Sequence, residues 1–320
     1  MKKRNPFLNF LIDNGIYIVM AAVFVYFAVT APDFISVGNL AKIPQQVAFV
    51  ILIAIGMTMV IITGGIDLSV GCIVALTAVV FALLLQNWHM AIPLALALSL
   101  IVGSACGATN GFFVVKYRVP PFIATLAMMT ISRGLARNIS GNTKIFISDP
   151  SLAPYSNFVT STTTFGIGIP PLVVFMLVFV AVFGFILLKT RFGRYVIATG
   201  GNEEATKLSG VNVNRVKLMV YVINSSLAGM VGVMMACKFS NGNPEFGVMW
   251  ELDAIAACVV GGTSLMGGKG NIFKTLIGAL LIGIIDNGLL IKGTSSEMIY
   301  IIKGIIILGA VMIDQIKEKA

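Results

Sequence analysis

One carboxylate, Asp67, interrupts a long apolar stretch that covers residues 47–85. Three glycines surround it in the segment GGIDLSVG, residues 64–71, so the backbone there can turn or two helices can approach closely. A charge at hydrocarbon depth costs about 2.5–3.5 kcal/mol on insertion scales unless it faces protein or water. The pattern therefore fits a broken helix that lines a solute path, or a tight turn at the membrane surface. In either case Asp67 and Ser69 are suitable N-cap residues for a helix that begins at about Leu68.

The elements that would position such a segment are membrane-spanning helices. Of the 320 residues, 58% are hydrophobic and 11% are charged, which excludes a soluble globular protein. We predict an all-α, polytopic membrane protein that forms one transmembrane domain, residues 1–320, with about ten helices and some broken or re-entrant segments. The predicted spans are 15–31, 43–63, 70–88, 91–115, 121–138, 169–188, 216–237, 253–266, 272–291 and 296–313. The eighth span is short and rich in glycine, which is typical of a re-entrant or broken segment.

Positive charges indicate how these helices are oriented. The formal net charge is +9, but the lysines and arginines lie in short loops between apolar runs, which favours a topological role over nucleic-acid binding. With the N-terminus inside, 15 of the 22 cations are cytoplasmic, and we predict that both termini are cytoplasmic. The cytoplasmic cations would be Lys2, Lys3, Arg4, Lys116, Arg118, Lys189, Arg191, Arg194, Lys207, Arg215, Lys217, Lys269, Lys274, Lys317 and Lys319.

Two loops are long enough to have structure of their own. Residues 138–168 are rich in Ser, Thr, Asn and Pro, which suits an external connection. Residues 189–215 form a basic loop that the predicted topology places in the cytoplasm. Within it Asn202 can cap a helix whose first turn contains two glutamates, and Gly210 suits the end of that helix. Because so short a helix is marginal in isolation, the pattern favours docking on a partner over a solvated surface helix.

A weak internal repeat relates the two glycine-rich interruptions of the chain. The spacing GGxxLxxG occurs at residues 64–71 and again at residues 261–268. Matched, glycine-interrupted segments in two halves of a transporter point towards its solute site. The second copy has Thr and Ser where the first has Ile66 and Asp67, and the predicted topology gives both copies the same orientation.

The sequence lacks the residue patterns of several chemistries. It has no C-x-x-C pair and a single histidine, so we interpret the cysteines as buried thiols and predict no metal site. The nearest approach to a phosphate loop is Gly268-Lys269, which lacks the earlier glycine and the following Ser or Thr. We therefore predict no catalytic residues, no bound cofactor and no ATP hydrolysis by this chain.

The glycine-rich segment belongs to a wider resemblance. Residues 63–71, TGGIDLSVG, resemble the signature of the ribose-type permease family, the membrane subunits of bacterial ABC sugar importers. The similarity continues in the expected order through GATNG (107–111), PPFIATL (120–126), RG (133–134), TRFGR (190–194), GN (201–202), SGV (209–211), VGGTS (260–264), GG (267–268) and NG (287–288). The matches span most of the chain.

This resemblance implies the ABC importer permease fold in a bacterial inner membrane. It implies a dimer with a second permease copy or a sister permease, two cytoplasmic ATPase subunits that bind the ATP, and an external sugar-binding protein that delivers the sugar. The short helix would be the coupling helix that seats on the ATPase. The coupling residues would be Gly201, Asn202, Glu203, Glu204, Ala205, Ser209 and Gly210. Relatives carry different sugars, so the motifs do not assign the substrate.

For the solute path we select polar side chains in the spans and two aromatic residues that could cover the apolar face of a sugar. They are Asp67, Ser69, Asn110, Thr125, Asn224 and Asn287, with Phe122 and Trp250. For each asparagine the alternative is a hydrogen bond between helices, worth about 0.6–2 kcal/mol. Asp286 is a second buried acid, which could equally be structural.

Two arginines, Arg133 and Arg137, lie four residues apart on one helix face near the outer surface. One hypothesis is that they receive acidic groups of the binding protein. The alternative is that they are cations that snorkel to the interface.

A different class of protein would also explain the acidic residues in the predicted spans. In a secondary transporter or channel driven by an ion gradient, Asp67, Asp253 and Asp286 would be proton or sodium sites. That interpretation predicts ion-dependent uptake by the purified chain alone.

Overall fold

The chain folds into a bundle of helices. The computed structural model describes residues 6–164 and 168–319; residues 2–4, which carry the N-terminal cations, and residues 165–167 of the predicted external loop lie outside the described residues. The helices are α1 (Pro6–Thr30), α2 (Val37–Ile62), α3 (Val70–Gln86), α4 (Ile92–Lys116), α5 (Pro121–Ile139), α6 (Ala153–Thr160), α7 (Pro171–Lys189), α8 (Arg191–Gly201), α9 (Glu203–Leu208), α10 (Val213–Phe239), α11 (Trp250–Val260), α12 (Ile272–Ile291) and α13 (Ser296–Lys319).

Each of the ten predicted spans overlaps one of these helices, so the all-α polytopic architecture is confirmed. Among the described residues, five helices are long and apolar enough to cross a bilayer by length and composition, namely α2, α4, α7, α10 and α12. In contrast, α3 has 17 residues and α11 has 11. At a rise of 1.5 Å per residue they are about 26 Å and 16 Å long, less than the roughly 30 Å of a hydrocarbon core. Each follows a largely non-helical segment, residues 63–69 before α3 and residues 240–249 before α11.

The predicted external loop has local structure. It contains strand β1 (Ile145–Phe146), a 3-10 turn at Pro150–Leu152 and the short helix α6. β1 pairs antiparallel with β2 (Asn241–Gly242), with Ile145 opposite Gly242. This pairing joins the loop to segment 240–249. We call this side of the bundle the β end and the opposite side, which carries α8 and α9, the α9 end.

Helix α2 lies at the centre of the bundle and is buried almost continuously from Val47 to Ile62. Beside it, α4 and α10 pack closely because Gly103, Gly107 and Gly111 recur every four residues on α4. A Cβ atom on Gly107 would overlap the backbone carbonyl oxygen of Tyr221 on α10. This spacing of small residues allows the two backbones to touch, as in other membrane helix pairs.

The first turns of the two short helices meet inside the bundle. A Cβ atom on Gly71, the second residue of α3, would overlap the carbonyl oxygen of Gly247, and a Cβ atom on Gly247 would overlap the carbonyl oxygen of Gly71. Glu251, the second residue of α11, also lies against Gly71. From this contact α3 runs to the β end, where Gln86 accepts a hydrogen bond from Ser148 N (3.0 Å). Helix α11 runs to the α9 end. Because a Cβ atom at either position would overlap a backbone oxygen, glycine is required at residues 71 and 247.

The two interruptions end their preceding helices in the same way. After α2, Gly64 (φ +79°) allows Gly65 N to bond Val60 O (3.0 Å). After α11, Gly262 (φ +84°) allows Thr263 N to bond Cys258 O (2.9 Å). Both are Schellman caps, which favour glycine at the left-handed position. The structural equivalent of Gly64 is Gly262 rather than Gly261, so the predicted register of the internal repeat is wrong by one residue. The prediction of 253–266 for the eighth span is also wrong, since this cap ends α11 at Val260.

The contact between the short helices predicts a specific sensitivity to one methyl group. Gly71→Ala forces the α3 backbone away from Gly247 and should destabilise the protein by about 1–3 kcal/mol, the usual cost of overpacking. In detergent, we expect the midpoint of thermal unfolding to fall by several degrees. The matched control is Gly134→Ala, because Gly134 is also helical but a Cβ atom added there would have nothing within 4 Å. An unchanged midpoint for Gly71→Ala would contradict the contact.

Candidate functional site

The segment between α2 and α3, residues 63–69, is non-helical and lies in the interior of the bundle. Gly65 lies so close to α10 that a Cβ atom there would overlap the hydroxyl of Tyr221. The following helix begins at Val70, two residues later than predicted. Ser69 occupies the N-cap position, but its side chain makes no capping bond. The reason is that Asp67 engages both the backbone and the side chain of Ser69.

The Asp67 carboxylate is the acceptor of a buried hydrogen-bond network. Its Oδ1 accepts from the backbone N–H (2.9 Å) and from the hydroxyl (2.6 Å) of Ser69. Its Oδ2 accepts from Nδ2 of Asn224 on α10 (2.9 Å). Nδ2 of Asn110 on α4 donates in turn to the Ser69 hydroxyl oxygen (3.0 Å). The network therefore fastens the α2–α3 break to two neighbouring helices.

This carboxylate is held by neutral donors. Asp67 is 0% exposed, and no lysine or arginine among the described side chains lies within 4.0 Å of it. All three donors bond to its oxygens, so both carboxylate oxygens act as acceptors. The start of α3 adds the positive end of a helix dipole. Because a buried charge depends on every partner it has, loss of one donor costs about 1–3 kcal/mol or more.

The α10 face next to the break carries further polar atoms. Asn224 Oδ1, the Tyr221 hydroxyl and the Ser225 hydroxyl are buried and have no hydrogen-bond partner among the described residues. Buried polar groups normally find partners, so such a cluster marks a place where the packing is unusual. All of these side chains, with Asp67, are closed off from solvent. A solute can reach them only if α4 or α10 moves relative to the break.

The other predicted path residues divide into two groups. Thr125, at the start of α5, donates its hydroxyl to the carbonyl oxygen of Ile66 (3.1 Å) and so belongs to the break. Phe122 lies on the exposed side of α5, and Trp250 opens α11 with its ring stacked on Phe49 at a centroid distance of 6.2 Å. Asn287 forms a reciprocal amide pair with Asn39 (2.9 Å each way), which joins α12 to the first turn of α2. The break thus brings together Asp67, Ser69, Asn110, Asn224 and Thr125, whereas Phe122, Trp250 and Asn287 lie outside this network.

The two other candidate acids share one cation. Lys303 on α13 pairs with Asp253 on α11 (2.9 Å) and with Asp286 on α12 (2.8 Å). All three side chains are half-buried or buried. A cleft of about 70 Å³ between α2, α11 and α12 includes both carboxylates in its lining. The three charged groups tie α13 to the bundle.

At the β end, two arginines of α5 hold the segment that precedes α11. The guanidinium of Arg133 donates to the carbonyl oxygens of Pro244 and Phe246. Arg137 pairs with Glu245 (2.9 Å), and both of these side chains are about half exposed. The position of segment 240–249 therefore depends on α5.

An open groove of about 440 Å³ lies beside this pair. Its lining is polar and comes from the end of α5, from the turn after it and from segment 240–249. The lining residues are Arg137, Asn142, Thr143, Lys144, Asn243, Pro244 and Glu245.

The short capped helix predicted in the basic loop is present as α9. Asn202 caps it by accepting from Ala205 N (2.9 Å), and Gly210 ends it with φ +83°. Glu203 is half-buried and bonds two lysines, whose ammonium groups lower the pKa of its carboxyl, that of Lys207 most and then that of Lys217. The other predicted coupling residues, Gly201, Asn202, Glu204, Ala205, Ser209 and Gly210, are all exposed.

The end of α8 touches both glycine-rich interruptions. Gly268 N donates to the carbonyl oxygen of Ile62, the last residue of α2 (2.9 Å). A Cβ atom on Gly200 would overlap that same carbonyl oxygen and would crowd Gly268 N. The two copies of the repeat and the segment that leads into α9 therefore meet at one junction.

Sequence reasoning missed three residues of this arrangement. Leu208, the last residue of α9, is 89% exposed, and an apolar residue in a short polar helix was the available signal. Lys303 is the cation of the Asp253–Asp286 cluster, and its position within a predicted span was a signal for a buried ion pair. Gly247 had no signal in the sequence, since only packing shows what a glycine touches.

Comparison with known proteins assigns the chain to a family. The family described as "Branched-chain amino acid transport system / permease component" matches residues 39–311. The ribose import permease protein RbsC of Escherichia coli (strain K12) is 40% identical over 316 residues, which cover 96% of this chain and 95% of that protein. RbsC of Bacillus subtilis (strain 168) is 41% identical over 319 residues, which cover 99% of this chain and 94% of that protein. The galactose/methyl galactoside import permease protein MglC of Escherichia coli (strain K12) is 35% identical over 333 residues, which cover 98% of this chain and 97% of that protein.

No solved structure matches the chain. The family match extends from the start of α2 into α13 and includes the break, the α8–α9 segment and the second glycine-rich interruption. The chain therefore belongs to the family of branched-chain amino acid transport system permease components.

Proposed function

We propose that this chain is the membrane-spanning permease subunit of a bacterial ABC importer that translocates ribose or a related monosaccharide. The observation that carries the proposal is identity of 35–41% over nearly the full length of permeases named for ribose and for galactose and methyl galactoside. A further relative, of Azospirillum brasilense, is named as an L-arabinose ABC transporter permease and is 36% identical over 305 residues. The family description names amino acids, but these near-full-length relatives favour a sugar.

In the proposed membrane arrangement the chain crosses the inner membrane ten times, with both termini in the cytoplasm. Helix α11 is too short to cross alone, and in this arrangement the largely non-helical segment 240–249 before it completes the crossing. The α9 end is cytoplasmic. Its support is the set of cations near it, Lys189, Arg191, Arg194, Arg215 and Lys269.

The proposed energy source is a cytoplasmic ATPase subunit that binds the ATP and seats on α9. Its support is an exposed surface on a short capped helix: Leu208 is 89% exposed, and Glu204 and Ala205 are exposed beside it. An apolar side chain that projects into water is stabilised when a partner covers it.

A second permease, identical or sister, and an external sugar-binding protein complete the proposed importer. The fully buried residues of α5 are Thr125, Met128, Ser132 and Ala136. Its exposed side carries mainly apolar side chains, Phe122, Ile123, Leu126, Ile131 and Leu135, with Thr130 among them. An exposed apolar helix face suits contact with a second permease in the membrane, and in this proposal Phe122 covers the apolar face of a sugar that passes between the two permeases. In this proposal Arg137, with the groove next to it, faces the binding protein, while Arg133 holds segment 240–249.

The proposed role of the α2–α3 break, residues 63–69, is to connect α3 to α4 and α10 while these helices move, and we call it the Asp67 joint. The Asp67 network fastens the start of α3 to α4 and α10, and the sugar moves along the free side of α5 as these helices change their relative positions. Tight binding would slow release, so few contacts to the sugar are expected.

The joint predicts that transport depends on the Asp67 carboxylate. In Asp67→Asn the amide nitrogen cannot accept, so at least one of the three donors loses its partner, a loss of about 1–3 kcal/mol. We expect uptake by the complete transporter in proteoliposomes to fall at least tenfold. Asp149→Asn is the control, because Asp149 is half-exposed and caps a turn by bonding Ser151 (2.9 Å). Normal uptake by Asp67→Asn would refute a role for the charge.

The α9 surface predicts the contact with the ATPase. Leu208→Asp places a charge where an apolar contact is expected and should weaken co-purification with the ATPase at least tenfold, without a change in thermal stability of the isolated permease. Replacement of Glu203 and Glu204 by bulky apolar residues should likewise uncouple or disassemble the complex. The control is Tyr117→Asp, at an exposed residue of another loop on the same side. Full assembly with Leu208→Asp would count against docking through α9.

The energy source separates this proposal from an ion-driven transporter. The isolated chain in liposomes should not accumulate ribose against a gradient of sugar, with or without a proton or sodium gradient. Accumulation without the ATPase would refute the proposal. Competition of ribose uptake by unlabelled pentoses and hexoses in the complete system then ranks the substrates, and ribose or another pentose should compete best.

A further inference from the structure

The carboxylate of Glu203 binds two ammonium groups that belong to different elements. Lys207 lies one turn later on α9 itself, and its Nζ is 2.6 Å from Oε1. Lys217 lies in the first turns of α10, and its Nζ is 2.6 Å from Oε2. Only the second pair crosses from the α9 segment to a long helix of the bundle. Lys217 is also the less exposed lysine, at 21% compared with 49% for Lys207.

Lys217 begins a row of three contacts along one face of α10. Lys217, Tyr221 and Asn224 are spaced by four and three residues, so their side chains share a face. Lys217 holds Glu203 of α9, Tyr221 packs against Gly65 of the break, and Asn224 donates to Asp67.

The row is short and stiff. From Lys217 to Asn224 the rise along α10 is about 10 Å, at 1.5 Å per residue. Tyr221 and Asn224 are 1% and 0% exposed, and α10 is helical without interruption from Val213 to Phe239. A displacement of α9 that is passed to Lys217 therefore reaches the Asp67 network without passing through a loop.

We infer that Lys217 is a positioning residue for transport: through Glu203, Lys217, Tyr221 and Asn224, the seat of the ATPase is linked to the Asp67 joint. This inference rests on the proposed function of α9 and names the residues through which it acts. The contact of Gly200 with Ile62 is a parallel connection from α8 to the end of α2, so removal of the Lys217 pair should weaken the coupling rather than abolish it.

The test compares two lysines that bind the same carboxylate at the same distance. Lys217→Met removes the link to α10, and Lys207→Met removes a pair that stays within α9. Each variant is assembled with the ATPase and the binding protein in proteoliposomes, with radiolabelled ribose as the probe. The measured quantity is ribose imported per ATP hydrolysed, which a loss of fold stability alone would not change. We expect a fall of at least fivefold for Lys217→Met and less than twofold for Lys207→Met. Equal ratios for the two variants would overturn the inference.

Further variants keep the test decisive if the Lys217→Met complex assembles poorly. Lys217→Arg keeps the charge and should return the ratio to within twofold of the unchanged protein. Asn224→Ala should also lower the ratio, and the double variant Lys217→Met/Asn224→Ala should lower it no further than the larger single effect, because both act in one row. Multiplicative losses in the double variant, or no recovery with Lys217→Arg, would refute the link.

The outcomes separate this inference from the function on which it rests. If the unchanged complex hydrolyses ATP without importing ribose, or imports it without the ATPase, the proposed function fails. If the unchanged complex is coupled and Lys217→Met is coupled equally well, only the role of Lys217 fails.

Discussion

The buried carboxylate of Asp67 is the interaction on which the rest of the arrangement depends. The Asp67 side chain lies in the interior of the protein, and the described residues give it three hydrogen bonds from neutral donors and no cation. Such a group is stable only while every donor keeps its place. The segment that carries it, α4 and α10 must therefore remain in register, and any movement of one of them has to carry or break these bonds.

Glycine contacts set the geometry around that carboxylate. Gly65 admits the ring of Tyr221, Gly71 and Gly247 bring the starts of α3 and α11 together, and Gly200 allows α8 to touch the end of α2. Each of these contacts is between backbones or between a backbone and a rigid ring, so small shifts are resisted. Helices held in this way move as bodies, which is what a transporter with two access states requires.

Three surface regions of the chain are exposed, and each suits a different partner of the proposed importer. Leu208 projects from α9 at one end, the free face of α5 carries mainly apolar side chains such as Phe122 and Ile131, and the polar groove beside Arg137 opens at the β end. Between these places, Lys217, Tyr221 and Asn224 connect the first to the joint. Of the three acids that an ion-driven transporter would use, Asp253 and Asp286 share the ammonium group of Lys303.

The sequence by itself determined the class of the protein, the approximate location of its long apolar helices and the capped helix at Asn202, because apolar run length and capping chemistry are local properties. It also selected Asp67, since a lone charge in an apolar run stands out. Only the tertiary structure decided which asparagines belong to its network: Asn224 donates to Asp67 and Asn110 to Ser69, whereas Asn287 pairs with Asn39 far from the break. It also decided that α11 ends at Val260 and that Gly71 faces Gly247. The physical reason is that a hydrogen-bond partner or a close backbone contact is fixed by how distant segments pack, and residue type and spacing carry no record of that packing.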